Sequence, residues 1–363
     1  MIASLNLLTI SLILFAISIE SRYLLKPRQA KVRGGASETF KTGSQAAIRQ
    51  AKVAQTRGAL GKATDGSQIV AMTADIDTFA LQFKISAPQD SLLPAAKNGA
   101  VIQPSTTAPT SNGVNGANVL LHGDGGQTFF DFSNQAVQNN LMGVVVLAPN
   151  DKMFWGGGAG SLRTDGALHS TLVNKLITQV LPQVMNMDPK KVFFTGVSGG
   201  SLTLSGFFMP MFAENYNTGA IMSCGGLSPQ VKPSENFGKT LGTMKIHFQT
   251  TTQELTSLQS TIPGAITTYA DAAKAAGVDD KTLGTKLTAD STPTGSHCAF
   301  DGRGFVSGVQ RMSDTYGSII FGDGNAKGIG KAVSVLENKQ TFASGIPVCK
   351  AVAGTLKGKA TRP

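Results

Sequence analysis

Between residues 68 and 255 two apolar rhythms take turns along the chain. "QIVAMTADI" from Gln68 and "DTFALQFKISAP", closed by Pro88, alternate apolar and polar positions as half-buried strands do. "ANVLLHG" (117–123) and "MGVVVLAP" (142–149) are near-continuous apolar runs, the pattern of strands buried on both faces. "QTFFDFSNQAVQNN" (127–140) between them has the length of a helix. Leu172, Leu176, Val180 and Val184 then recur at i+4, flanked by Val173, Ile177 and Leu181, which predicts a helix bent or ended late by Pro182. "VFFTG" (192–196) reads as a strand and "GGSLTLSGFF" (199–208) as a short helix stopped by Pro210. "GAIMSC" (219–224) and "MKIHFQTTT" (244–252) are further strands. "PGAITTYADAAKAAG" (263–277) is a helix with Gly277 as its stop.

Strand, helix, strand, helix over such a length predicts an α/β fold, a mostly parallel sheet with helices on both faces. Residues 104–117, "PSTTAPTSNGVNGA", have the composition of a linker, yet the same rhythm resumes after them, so they read as an exposed loop inside one domain. Residues 44–62 are Ala-rich with a weak apolar stripe, compatible with a surface helix or part of a pro-segment.

The first 21 residues are almost uninterruptedly apolar up to Glu20. Their densest stretch, Leu5 to Ile19, is short of the roughly 20 residues needed to span a bilayer. Small residues at Ala16, Ser18 and Ser21 offer cleavage sites, so a secretory signal is favoured over an uncleaved anchor, although no Lys or Arg precedes the core. The expected organisation is a signal peptide over 1–21, an N-terminal extension over 22–65, a catalytic domain over 66–345 and a tail over 346–363. A secreted, extracellular monomer with no stable membrane association is expected from it. Three cysteines allow one internal disulfide. Cys298 and Cys349, both late in the chain, are the preferred pair, leaving Cys224 as a buried thiol.

Charge changes the picture little. The chain has 32 Lys and Arg against 22 Asp and Glu, a net +10, but the basic residues are scattered with little aromatic interleaving, which argues against a nucleic-acid partner. No cofactor is expected. Cys and His lack metal-ligand spacing, and "GDGNAKG" (322–328) lacks the Lys-Ser/Thr of a phosphate-binding loop.

The candidate chemistry begins at "FFTGVSGGS" (193–201), a G-x-S-x-G frame around Ser198. With 42 glycines in 363 residues a chance match is a serious rival, so the context decides. A buried strand runs into Gly196 and a helix starts at once after Ser198, the strand-turn-helix that aims a serine hydroxyl outward. The helix start also presents free N–H groups, that of Gly199 first, to an oxyanion. "LLHGDGG" (120–126) is a Gly-rich turn after an earlier strand, and the amide of Asp124 or Gly123 is placed to be the second donor. The Asp124 carboxylate would oppose that role unless it points away.

A nucleophilic serine needs a base, and only four histidines exist. His122 belongs to the oxyanion turn, His169 precedes a helix and reads as surface, and His247 lies inside a strand as a core residue. His297, in the Gly/Pro-rich "TPTGSHCAFDGRG", is the base by elimination and by position. For the acid that orients it, Glu254 is first choice, with Glu235 and Asp290 as rivals.

"VLLHGDGG", "VVVLAP", "MDPKKVFFTGVSGGS" and "SHCAFDGRG" together resemble secreted esterases of the α/β-hydrolase fold. The nearest branch is that of polyhydroxybutyrate depolymerases with feruloyl and acetylxylan esterases, over about residues 66–315. The resemblance implies a catalytic Ser198, an oxyanion turn at 122–126, His297 as base, and an ester, small or polymeric, as substrate. Two departures stand out. The acid position soon after "KIHF" holds Thr and Gln before Glu254, and the aromatic platforms of the family reduce to one Trp, Trp155, which could wall a substrate pocket. Two other readings compete with the esterase: a non-catalytic binding protein on the same scaffold, and a serine peptidase.

Overall fold

The structure is a computed structural model, and it describes residues 58–107, 111–325 and 329–349. The apolar N-terminal segment, most of the extension after it and residues 350–363 of the tail lie outside the described residues.

Twelve strands form one sheet. They are β1 (Gly58–Lys62), β2 (Gln68–Ile76), β3 (Phe79–Ala87), β4 (Val101–Ile102), β5 (Gly116–Leu121) and β6 (Val137–Gln138). Then come β7 (Leu141–Val146), β8 (Val192–Val197), β9 (Gly219–Ser223), β10 (Lys245–Gln249), β11 (Leu287–Asp290) and β12 (Val333–Ser334). The main order is β1-β2-β3-β7-β5-β8-β9-β10-β11-β12, with β4 beside β2 and β6 beside β7. An antiparallel meander, β1 to β3, meets β7 antiparallel, and from β7 through β5, β8, β9 and β10 to β11 every pairing is parallel. This is the α/β-hydrolase fold.

The apolar runs explain the centre. Every residue of β5, β7 and β9 is buried, as a sheet covered on both faces requires. The chain passes from β5 to β7 on one side and returns to β8 on the other, so a crevice opens between the carboxyl ends of β5 and β8. All the candidate groups leave the sheet at this carboxyl edge.

Prolines shape the two helices flanking the crevice. Gly166–Lys175 passes into a π-helical segment, Leu176–Val180, two residues before Pro182. Gly199–Thr203 passes likewise into Leu204–Phe208, two residues before Pro210. Each proline lacks the N–H for the carbonyl four residues back and its ring crowds it, which a wider turn relieves. The Gly206 carbonyl, deprived by Pro210, accepts the Gln230 N–H at 2.8 Å instead.

Several expectations change. The stretch 127–140 is not one helix. Gln127–Asp131 is helical, and β6 and β7 are then joined through Asn139 and Asn140, both at positive φ (55° and 59°), a tight turn that asparagine tolerates. The helix expected from Pro263 begins earlier, at Thr256, because Leu258 and Ile262 extend its buried face. Residues 58–62, within the stretch read as extension and surface helix, form β1. Val348 and Cys349, within the expected tail, are buried, and Val348 N–H donates to the Gln340 carbonyl. Among the described residues no helix is long and apolar enough to cross a membrane.

Candidate active site

Ser198 sits where β8 gives way to the helix Gly199–Thr203, with φ 52° and ψ −115°, a backbone conformation costly for a residue with a side chain. The flanking glycines are dictated by close approach. A Cβ at Gly196 would fall 2.6 Å from Ser201 Cα, and one at Gly200 would fall 2.0 Å from the Leu121 carbonyl oxygen. The turn is therefore pressed against the end of β5, and Ser198 stays half-buried at the crevice.

The end of β5 supplies the facing turn. A Cβ at Gly123 would lie 3.4 Å from Ser198 Cβ, so the two turns abut. His122 fixes this one from below. The Ala148 N–H donates to its Nε2 at 2.9 Å, which leaves the Nδ1 proton to donate to the Gly123 carbonyl at 2.6 Å. Burial, with the nearby Arg163 charge adding, pulls the His122 pKa down to about 4 and keeps the ring neutral. Of the two amides considered as second donor, that of Gly123 is occupied, donating to Thr128 Oγ1 at 3.1 Å. The Asp124 and Gly199 amides have no acceptor among the described residues.

The Asp124 carboxylate is held by Arg163. Nη1 donates to Oδ1 at 3.0 Å and Nη2 to Oδ2 at 2.8 Å, a two-pronged ion pair whose Arg side chain has no solvent exposure. Arg163 Nη1 also donates to the Trp155 carbonyl.

His297 and Glu254 come from the next strands. Glu254 follows β10 and precedes the helix Thr256–Ala275, and His297 lies on the loop after β11. His297 Nε2 is 2.8 Å from Ser198 Oγ, and Nδ1 is 2.5 Å from Glu254 Oε1. Glu254 is buried and also accepts from Leu255 N–H (2.8 Å) and Thr250 Oγ1–H (3.0 Å). Both rivals stand elsewhere. Glu235 is exposed, and Asp290 is buried while accepting from Gln249, Thr292 N–H and the Thr292 hydroxyl.

Cys298, next to His297, is bonded to Cys224 at the end of β9, and Cys349 is the buried thiol. Both partners leave the carboxyl edge of the sheet, a proximity that spacing along the chain does not reveal. The bond also removes both sulfurs as metal ligands beside His297. Trp155 walls no pocket. It is fully buried, its ring lying between those of His122 (centroids 5.4 Å apart) and His169 (6.0 Å). His169 is buried rather than on the surface, with Nδ1 accepting from the Gly156 N–H at 2.9 Å. His247 is a core residue between Thr288 and Gln249.

Two residues escape a reading of the sequence. Arg163 is one, and its signal is indirect: a carboxylate in a turn expected to face an oxyanion calls for a counter-charge. Phe305 is the other, opening the helix Phe305–Asp314 with its ring 6.2 Å from that of His297 and 3.5 Å from a Cβ placed on Gly123.

No family model matches the sequence, and a search of curated proteins finds no match. Solved structures similar to the chain include a thermostable esterase (16% identity, TM-score 0.44, 72% of this chain and 61% of that one). An arylesterase (11%, 0.44, 77% and 92%) and a ferulic acid esterase (10%, 0.39, 68% and 96%) are others. The chain thus spans about three-fifths of the thermostable esterase.

Proposed function

We propose that the protein is a serine hydrolase that cleaves carboxylic esters through an acyl-enzyme on Ser198. The observation that carries this reading is the continuous hydrogen-bonded path from Ser198 Oγ through His297 to the buried Glu254. Ser198 Oγ attacks the ester carbonyl while His297 Nε2 takes its proton, and Glu254 holds the ring and balances the imidazolium. The Asp124 and Gly199 amides receive the oxyanion. Collapse of the tetrahedral species expels the alkoxide, which leaves as the alcohol with the proton from His297. Water then gives a proton to His297 as it attacks the acyl carbon, and the second tetrahedral species collapses to the free acid as His297 returns that proton to the departing Ser198 Oγ.

The features that motivated a non-catalytic scaffold favour it no longer, since Asp124 faces Arg163 and His297 has a carboxylate partner. We place the enzyme outside the cell. The apolar N-terminal sequence supports export, and the Cys224–Cys298 bond suits an oxidising compartment. Polymer and plant-polysaccharide esters join small esters as candidate substrates through the resemblance of the motifs.

The test is hydrolysis of p-nitrophenyl acetate beside a panel of peptide anilides. Ester turnover that disappears in Ser198→Ala is expected. Anilide turnover exceeding ester turnover would make the protein a peptidase, and turnover of neither by folded protein would remove the reading.

A further inference from the structure

We propose that Arg163 is a positioning residue of the oxyanion site: it clamps the Asp124 turn against Ser198 and cancels the negative charge that the Asp124 side chain brings to that turn. This rests on the hydrolytic reading above. Asp124 offers two groups with opposite effects. Its amide has no acceptor among the described residues and is suited to an oxyanion, whereas its carboxylate would repel one. The structure separates them. The carboxylate is gripped by both Nη atoms of Arg163 at 3.0 and 2.8 Å, and the guanidinium is fixed in turn by the Trp155 carbonyl.

The pair is in contact with the other oxyanion residue. A Cβ at Gly199 would fall 2.0 Å from Asp124 Oδ1 and 3.0 Å from Arg163 Nη2, so the ion pair rests directly on the Gly199 backbone. Both amides are thereby set by one buried guanidinium. The loop carrying it folds tightly enough because Gly156 adopts φ 75°, where a Cβ would lie 2.5 Å from Arg163 Cβ. A buried charge pair is often no more stabilising than apolar residues of the same size, so stability alone does not account for its place here. Orientation of two amides and removal of a repulsive charge do.

The account is tested by p-nitrophenyl acetate kinetics on wild type, Arg163→Gln, Arg163→Lys and the double variant Asp124→Asn/Arg163→Gln. Each is assayed well below its own melting temperature, with Ser198 labelling by a fluorophosphonate followed alongside. For Arg163→Gln a fall in kcat of about 100-fold is expected, the scale of one lost oxyanion donor, with KM within about threefold. The double variant should be faster than Arg163→Gln by about tenfold, because the stranded carboxylate is gone. A purely structural arginine would not give a double variant whose folded form is the faster enzyme.

Should Arg163→Gln not fold, Arg163→Lys keeps the charge without the two-pronged grip, and its kcat should drop by about tenfold. Arg163→Gln within twofold of wild type, or a double variant no faster than Arg163→Gln, overturns the proposal while leaving the hydrolytic reading intact. So does a folded Arg163→Lys with wild-type kcat. A wild type that neither turns over ester nor takes the label at Ser198 removes the hydrolytic reading, and this inference with it.

Discussion

The Nδ1 of His297 lies 2.5 Å from Oε1 of Glu254, although 43 residues separate the two along the chain. Because the carboxylate is buried and tied down by Leu255 N–H and the Thr250 hydroxyl, the ring cannot rotate without breaking a fixed contact. Glu254→Gln keeps the shape and removes the charge that balances an imidazolium. The expected result is a loss in kcat on the order of 10⁴-fold with little change in KM, read on p-nitrophenyl acetate. A loss under tenfold would mean that something else orients His297.

Three histidines make stability depend on pH. Burial pulls the pKa of His122, His169 and His247 from the ordinary 6.5 to about 4 in the folded protein. Between those values the unfolded chain takes up protons that the folded one refuses, so unfolding is favoured as pH falls. Stability should be full above about pH 6.5 and decline progressively toward pH 4. Guanidinium unfolding midpoints across this range check it, and equal midpoints at pH 7 and 5 would contradict it.

Trp155 is the only tryptophan and has no solvent exposure. Its emission should be blue-shifted and weakly quenched by acrylamide, and neither property should change when an ester analogue occupies the site. Trp155→Ala should cost about 3–5 kcal/mol of stability, read by denaturant titration. Solvent-like emission would return Trp155 to the wall of a pocket.

Peptide mapping without reduction should recover a Cys224–Cys298 linked peptide and one free thiol at Cys349. Replacing both bonded cysteines by serine removes a closure spanning 74 residues, for which chain entropy alone gives about 4 kcal/mol. Since Cys298 adjoins His297, kcat should fall as well as stability. A Cys298–Cys349 linkage would contradict the structure.

The strands β5, β7, β8 and β9 are legible as short apolar runs, β2 and β3 as alternating ones, and these and β10 lie where the pattern puts them. The strand β11, "LTAD", between β10 and β12, has four residues and no distinctive rhythm, so the pattern does not mark it. Ser198, His297 and Glu254, which the structure brings within hydrogen-bonding distance in the order named, are each suggested locally, by the strand-turn-helix at Ser198, the scarcity of histidine and the end of β10. What pairs across space could not be read. Arg163 matters through Asp124, 39 residues away, and Cys224 through Cys298, and nothing local to either announces its partner. The burial of His169 and Trp155 is hidden for a related reason: His169 turns inward from the helix Gly166–Lys175 and Trp155 from the Gly-rich loop before it, and each packs against a ring that the local sequence does not announce.

The most direct test of the central claim, that Ser198 is the activated nucleophile, is the site of covalent attack by a fluorophosphonate. Intact-mass and peptide analysis should find one phosphonyl group per chain, on the peptide containing Ser198, with labelling abolished in Ser198→Ala and strongly slowed in His297→Gln. A folded wild-type protein that stays unlabelled, or carries the group on another residue, would contradict it.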